Sequence, residues 1–366
     1  MAKLRILHVV TYMGLGGLET MIMNYYRKID KEKIQFDFLV HRSEKAYYDE
    51  EIENLGGKIY HLPRLNPFSS SYKNVLKEFF ISHPEYKIVH IHQDCLSGII
   101  AKIAKNCGVP VRIAHSHNSN QDKNFKYPIK LFFKRNIPKY ATHLFACGKK
   151  AGEWMFSGAD FEILNNAIEV SKYTFSPAKR SEVRKTFGID DKKFVVGHVG
   201  RFSPQKNHTF LLDIFLEISK KCDALLLLVG DGELRSEIEK KVELLGISNK
   251  VMFLGKRNDV YDIMQAMDCF VFPSKYEGFP VSVVEAQASG LPCIISDTVP
   301  LDCKITDLIE QISLQNSVVD WSNKVFAVKM NKRSDTSKII KYSGFDIETN
   351  VKKLTELYLN FRKGIF

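Results

Sequence analysis

Residues 270–295 read Phe270-Val-Phe-Pro-Ser-Lys-Tyr-Glu-Gly-Phe-Pro-Val-Ser-Val-Val-Glu-Ala-Gln-Ala-Ser-Gly-Leu-Pro-Cys-Ile-Ile295. An apolar run ends at Pro273, and a turn carries Glu277, Gly278, Phe279 and Pro280. A helix-like run holding Glu285 then stops at Gly290-Leu291-Pro292 before a second apolar run, 293–295. This is strand, loop, helix, strand, the repeating unit of a parallel α/β sheet. It predicts Glu277 in a loop at a strand's carboxyl end, and Glu285 eight positions on in the helix abutting that loop. Ligands of open parallel sheets bind at that edge, and the amides of a helix start favour an anion there. An ionised carboxylate only accepts hydrogen bonds, so this pair suits the hydroxyls of a sugar or ribose and not phosphate. A bare pair of this kind is more often a solvated loop residue and an ordinary helix glutamate.

The same grammar repeats on both sides. Apolar runs at 4–10, 36–40, 59–62, 88–92, 111–115 and 144–146 alternate with helical stretches and predict a first doubly wound α/β domain. After its first strand comes a glycine-rich loop with Gly14, Gly16 and Gly17, where backbone can approach a ligand. The loop lacks the Gly-x-Gly-x-x-Gly dinucleotide fingerprint. His115 and His117 stand at the end of the 111–115 strand, and as isolated residues both read as polar loop histidines. A polar, proline-containing crossover, 164–179, leads to a second α/β domain opening at Phe194. Its first loop is bracketed by Arg201 and Lys206. Two cations there would neutralise a diphosphate, which arginine can hold with two parallel bonds. Further strands are expected at 224–229, before Gly230-Asp-Gly232, and at 251–255, before Lys256 and Arg257. Residues 345–361 read as a final helix.

Composition narrows the classes of function. The 366 residues, 45% hydrophobic, suffice for two domains. The seven cysteines are scattered with no Cys-x-x-Cys, which reads as free thiols in a reducing compartment. No run of about eighteen apolar residues occurs, and the first strand is too short for a secretory leader. The expected location is the cytoplasm, with peripheral attachment to the inner face of the plasma membrane as an option. Net charge is +11, with 24 Lys/Arg against 16 Asp/Glu in residues 1–165. That imbalance points to an anionic partner for the first half: acidic lipid, a pyrophosphate-bearing acceptor or nucleic acid. Residues 122–140 are the most basic segment. Phe125, Ile129, Phe132 and Phe133 fall on one helical stripe, and Lys126, Lys130 and Lys134 on another. That is a basic amphipathic helix, fit either for a membrane interface or for packing on its own domain.

Tyr276-Glu-Gly-Phe-Pro280 followed by Ala288-Ser-Gly-Leu-Pro292 resembles the Glu-x7-Glu motif of the retaining glycosyltransferases of family 4, the group 1 glycosyltransferases. Val199-Gly-Arg-x4-Lys-Asn207 and Gly16-Gly17-Leu18-Glu19 resemble that family's other signatures, and the likeness covers nearly the whole chain. It implies the GT-B fold, two Rossmann-like α/β domains with parallel sheets facing across a cleft. Residues 1–167 would bind the acceptor and 168–342 the nucleotide sugar, with a helix at about 343–366 crossing back to the first domain. The resemblance implies transfer of a sugar, with retention, from a UDP-sugar or other nucleotide diphosphate donor to a saccharide or polyprenyl-diphosphate-linked acceptor, as in exopolysaccharide, capsule or cell-wall assembly. It implies no cofactor and no bound metal, consistent with the lack of an Asp-x-Asp sequence. Arg201, Lys206 and the amides at Gly16 and Gly17 would take the diphosphate. Glu285 would hold the ribose, and Glu277 the sugar, beside Gly278, Phe279 and Pro280. Lys256 and Arg257 would frame the base. His117, or His115 as the alternative, would orient the sugar. Peripheral contact with an anionic membrane is an option, and nucleic acid is not an expected partner. Two other readings are a sugar-nucleotide epimerase or phosphorylase on the same architecture, and a non-catalytic basic scaffold.

Overall fold

A computed structural model describes residues 3–118, 127–330 and 332–364. The chain divides into two compact units, Met1–Ala167 with Ile347–Phe366, and Ile168–Asp346.

Unit 1 carries seven strands: β1 (Leu4–Val10), β2 (Ile34–Val40), β3 (Ile59–His61), β4 (Ile88–Ile91), β5 (Val111–Ser116), β6 (His143–Ala146) and β7 (Glu162–Ile163). They form one parallel sheet in the order β3-β2-β1-β4-β5-β6-β7. The central strands are mostly apolar because both faces are covered. One face, with Ile6, Phe36, Phe38 and Ile113, packs against the helices Gly17–Lys28 and Ile347–Arg362. The other, with Leu7, Leu39, Val89 and Ile91, packs against Ser70–Ser82 and Ser97–Asn106. The helix Ile347–Arg362 buries Ile347, Val351, Leu354, Tyr358 and Phe361, spaced by three or four so that they share a face. One charge is buried in the sheet. Asp37 of β2 accepts two bonds of 2.5 Å from the Arg5 guanidinium, one of 2.8 Å from the Tyr86 hydroxyl and one of 2.7 Å from the Lys58 amide.

Unit 2 carries β8 (Phe194–Val199), β9 (Ala224–Val229), β10 (Val251–Gly255), β11 (Cys269–Phe272), β12 (Cys293–Ser296) and β13 (Ile309–Ile312). Their order, β10-β9-β8-β11-β12-β13, is again parallel. In each unit the order reverses beside the first strand, between β1 and β4 and between β8 and β11. These are the switch points at which a doubly wound sheet opens a crevice for ligand.

Two strands lay outside the sequence expectation. β7 has only two residues, both exposed, and β13 reads Ile-Glu-Gln-Ile, whose polar centre suits a sheet edge. The expected basic helix over 122–140 is found as Tyr127–Lys134 and Ile137–Tyr140. Lys123, Phe125 and Lys126 lie outside the described residues. All seven cysteines are free.

Candidate active site

At the switch point of unit 2, the loop after β8 (200–207) meets the loop after β11 (273–280). Lys206 Nζ donates to Glu277 Oε1 at 2.7 Å and lies 4.5 Å from the centre of the Phe272 ring. The two side chains are 16% and 7% exposed. Sequence reasoning had given them separate ligand groups, but the structure joins them.

The surrounding backbone is pinned nearly residue by residue. The Pro273 carbonyl accepts from Asn207 Nδ2 at 3.2 Å, and the Ser274 carbonyl from the hydroxyls of Ser296 and Thr298 at 2.5 and 2.6 Å. The Lys275 amide donates to the Gln205 carbonyl, and Gln205 Nε2 donates to the Tyr276 carbonyl, both at 2.8 Å. Asn207 adopts the left-handed conformation (φ 57°) that turns the loop into the helix His208–Lys221. The third loop is held as closely. Gly230 has φ +133°, and a Cβ there would fall 2.1 Å from the Gly200 carbonyl oxygen, so only glycine fits. The loops are therefore fixed by their own hydrogen bonds, which is what preorganised electrostatic stabilisation requires.

The remaining expected residues fall into distinct surroundings. Arg201 is exposed at the start of the first loop, with Nη2 3.0 Å from a Glu233 oxygen. Glu285 lies inside the helix Val281–Ala288, where its carboxylate accepts from the Tyr173 hydroxyl at 2.6 Å. Burial pushes the Glu285 carboxyl up to about 7, against the opposing pull of that hydrogen bond. Phe279, between Gly278 and Pro280, is buried and stacks on Phe345 at 5.3 Å. Lys256 is exposed after β10. Arg257 does not point freely outward, since it forks onto Asp259 at 2.8 and 2.5 Å. Tyr173, Gln205, Asn207, Ser296 and Thr298 were not singled out from sequence. The only local signal was Gln205 and Asn207 flanking Lys206.

In unit 1, Gly16 caps the helix Gly17–Lys28 in extended backbone (φ −133°), and the space beside Gly17 is open to 4 Å among the described residues. Neither position needs glycine for its own backbone. His117 is the first residue past β5 and is half-buried, whereas His115 is 2% exposed inside the strand. Burial lowers His117 to about 3 and His115 well below the usual imidazole value, so both are neutral at pH 7.

The two loops of this switch point carry an ammonium, a guanidinium and a carboxylate, and the helix that follows carries a second carboxylate, groups suited to a ligand with both anionic and hydroxyl parts. The family described as "Glycosyl transferases group 1" matches residues 179–315, which contain Arg201, Lys206, Glu277 and Glu285. A protein of Bacillus subtilis (strain 168) named "Putative glycosyltransferase EpsF" is 38% identical over 373 residues, spanning 97% of this chain and 96% of that one. The chain belongs to the group 1 glycosyltransferase family. An Escherichia coli protein named "UDP-Gal:alpha-D-GlcNAc-diphosphoundecaprenol alpha-1,3-galactosyltransferase" is 25% identical over 386 residues, covering 98% of this chain and 97% of the other. The fold is GT-B. It matches the crystal structure of Anabaena Alr3699/HepE in complex with UDP and glucose with a TM-score of 0.76 at 18% identity, over 96% of this chain and 98% of that one.

Proposed function

We propose that this glycosyltransferase moves a sugar, with retention, from a UDP-sugar to a hydroxyl of a saccharide carried on a polyprenyl diphosphate, in the assembly of an exopolysaccharide, capsule or cell-wall polymer. The observation that carries the reading is the Lys206–Glu277 pair pinned at the switch point of unit 2. Lys206 and Arg201 face the charge that grows on the leaving diphosphate, the positive field that such departures need. No divalent ion is assigned to that step, because these two cations supply its charge. Glu285 accepts from the ribose hydroxyls and Glu277 fixes Lys206 beside the sugar. Lys256 stands by the base, and Arg257 serves there through its backbone. On unit 1, His117 is assigned to the substrate in preference to His115, because it has left the strand and reaches the surface.

The uridine donor and the lipid-linked acceptor are supported by what the HepE complex and the E. coli relative are named for. The acceptor would place unit 1 at an anionic membrane. There the helix Tyr127–Lys134 buries none of its side chains, and Phe132 is 65% exposed. Phe68, 67% exposed, stacks edge-on against Phe133, giving a partly exposed apolar patch. No helix of the described residues is long and apolar enough to cross a membrane.

A screen of nucleotide diphosphate sugars with a lipid-diphosphate-linked saccharide, read by product mass and anomeric NMR coupling, tests the proposal. The expected product is one added hexose whose anomeric configuration matches the donor's. Epimerised or hydrolysed donor with no glycoside formed would overturn it.

A further inference from the structure

We propose that Tyr173 is a positioning residue for the nucleotide donor: its hydroxyl donates to Glu285 and sets that carboxylate to accept from the ribose. The inference rests on the ribose assignment of Glu285 and deepens it. Among the described residues the Glu285 side chain accepts from one donor, the Tyr173 hydroxyl, at 2.6 Å. Such a length belongs to a hydroxyl bonded to an ionised oxygen. The two oxygens of an ionised carboxylate offer about four lone-pair sites, so the phenol takes one and leaves room for both hydroxyls of a ribose diol. A protonated carboxyl turns one oxygen into a donor and gives up that capacity. The phenol therefore favours the state of Glu285 that the ribose needs.

A donor that aims a carboxylate must itself be fixed, and the chain around Tyr173 does this. Tyr173 ends the short helix Val170–Tyr173 and is 9% exposed. Gln265 grips the segment with both ends of its amide. Its Nε2 donates to the Tyr173 carbonyl and its Oε1 accepts from the Ser176 amide, each at 3.1 Å. The Tyr173 ring meets Tyr261 edge-on at 6.2 Å. Two residues on, the Phe175 ring lies 4.1 Å from the Arg333 guanidinium. Arg333 in turn donates to the carbonyl of Ser289 at 3.0 Å and of Gln265 at 2.7 Å. Ser289 ends the helix Val281–Ala288, which carries Glu285. Arg333 thus ties the segment of the phenol to the helix of the carboxylate, and the pair is held at both ends.

No neighbouring charge does this work instead. Of the elements packed on the helix Val281–Ala288, Val170–Tyr173 brings Lys172 with Tyr173, and Leu301–Cys303 brings Asp302 with Cys303. Ser337–Ile340 brings Lys338, while β11 and β12 bring buried thiols. Lys172 is paired with Glu169 at 2.8 Å. Burial raises the Glu285 carboxyl to about 7, and the Tyr173 bond is what opposes it. Near pH 7 the carboxyl is therefore close to its midpoint, where a bond to the anion has its largest effect. Loss of that bond, raising the midpoint by about one unit, cuts the ionised fraction from about a half to about a tenth.

The test is Tyr173→Phe, which keeps the ring against Tyr261 and removes the hydroxyl alone. UDP binding to the full chain is measured by calorimetry from about pH 6 to 8.5, and Glu285→Gln over the same range supplies the contribution of the UDP phosphates. Wild-type affinity should rise with pH to a plateau. In Tyr173→Phe that rise should move up by about one pH unit, giving about fivefold weaker binding at pH 7 and binding within about twofold of wild type at pH 8.5. A role in packing alone would weaken binding by the same factor at every pH. That result, or an unchanged profile, would overturn the positioning role while a weakened Glu285→Gln left the ribose assignment standing. Glu285→Gln binding UDP at pH 8 as tightly as wild type would remove the ribose assignment, and this inference with it.

Discussion

Lys206 and Glu277 form a unit whose halves cannot be varied separately. Removing the ammonium strips an almost fully buried carboxylate of its cation, and neutralising the carboxylate frees the ammonium from its aim. A charge-assisted bond of about 1.5–3 kcal/mol gives roughly a ten- to hundredfold fall in kcat/KM for Lys206→Ala and for Glu277→Gln. The double variant should fall little further than the worse single one, because both remove the same interaction. Additive losses would show that the two residues act on separate parts of the substrate. Arg201→Ala, from an exposed position, should raise KM for the donor and have a smaller effect.

Glu285 carries a different signature. Its folded value near 7 lies above the ordinary carboxyl value, so between about pH 4 and 7 the folded chain keeps a proton the unfolded chain has lost. Stability from this group is complete below that window and falls as pH rises through it, by about 3 kcal/mol in all. Glu285→Gln should match the wild type in urea unfolding at pH 5, exceed it at pH 8, and bind UDP more weakly at pH 8, where the wild-type carboxylate is ionised. A stable variant with undiminished nucleotide affinity would refute the ribose assignment. Glu277 and Glu285 could be singled out because they stand eight positions apart in one stretch, and Lys206 because it stands in a second short signature, each through the family resemblance. Tyr173, 112 positions from Glu285, carries no local mark, and neither does Arg333, which donates to carbonyls 44 to 69 positions away.

Among the elements, the loops between strands decide whether the site exists. Gly230 could be read as a turn residue, but its need came into view only with the Gly200 carbonyl packed against it. Gly230→Ala would have to displace that backbone, and with it the Arg201 end of the first loop. We expect lower thermal stability together with a raised donor KM, measured by calorimetric melting and initial rates. An unchanged melting curve would mean the loop yields cheaply. Strands were legible where they are central and apolar, as in β1, β8 and β9. The edge strands β7 and β13 were not, since short or polar edges lack the apolar run that marks a buried strand. The basic stripe drawn through Lys130 and Lys134 also changed. Lys134 Nζ donates to the Trp154 carbonyl and lies over its ring, so it faces its own unit. In the proposed membrane contact the weight therefore shifts to the phenylalanines. Phe68→Ser with Phe132→Ser should abolish flotation with anionic vesicles, while neutral vesicles bind neither protein. Retained flotation in the double variant would remove this patch from the account.

For the whole molecule, the helix Ile347–Arg362 closes one face of the unit 1 sheet, and its Tyr358 hydroxyl meets His90 in the middle of that face. Deleting residues 347–366 should leave unit 2 folded and unit 1 aggregation-prone, seen as limited proteolysis that preserves only residues near 168–346. A full-length-like melting curve for the deletion would contradict this. The same closure sets an order of events at the ribosome. The first 167 residues emerge with that apolar face only partly covered, by the helix Gly17–Lys28, and unit 2 is translated in full before the second covering helix appears. At about 5–20 residues per second that interval lasts about 10–40 s. The half of the chain made first is thus finished last, and during that wait its nascent sheet is a natural client for chaperones.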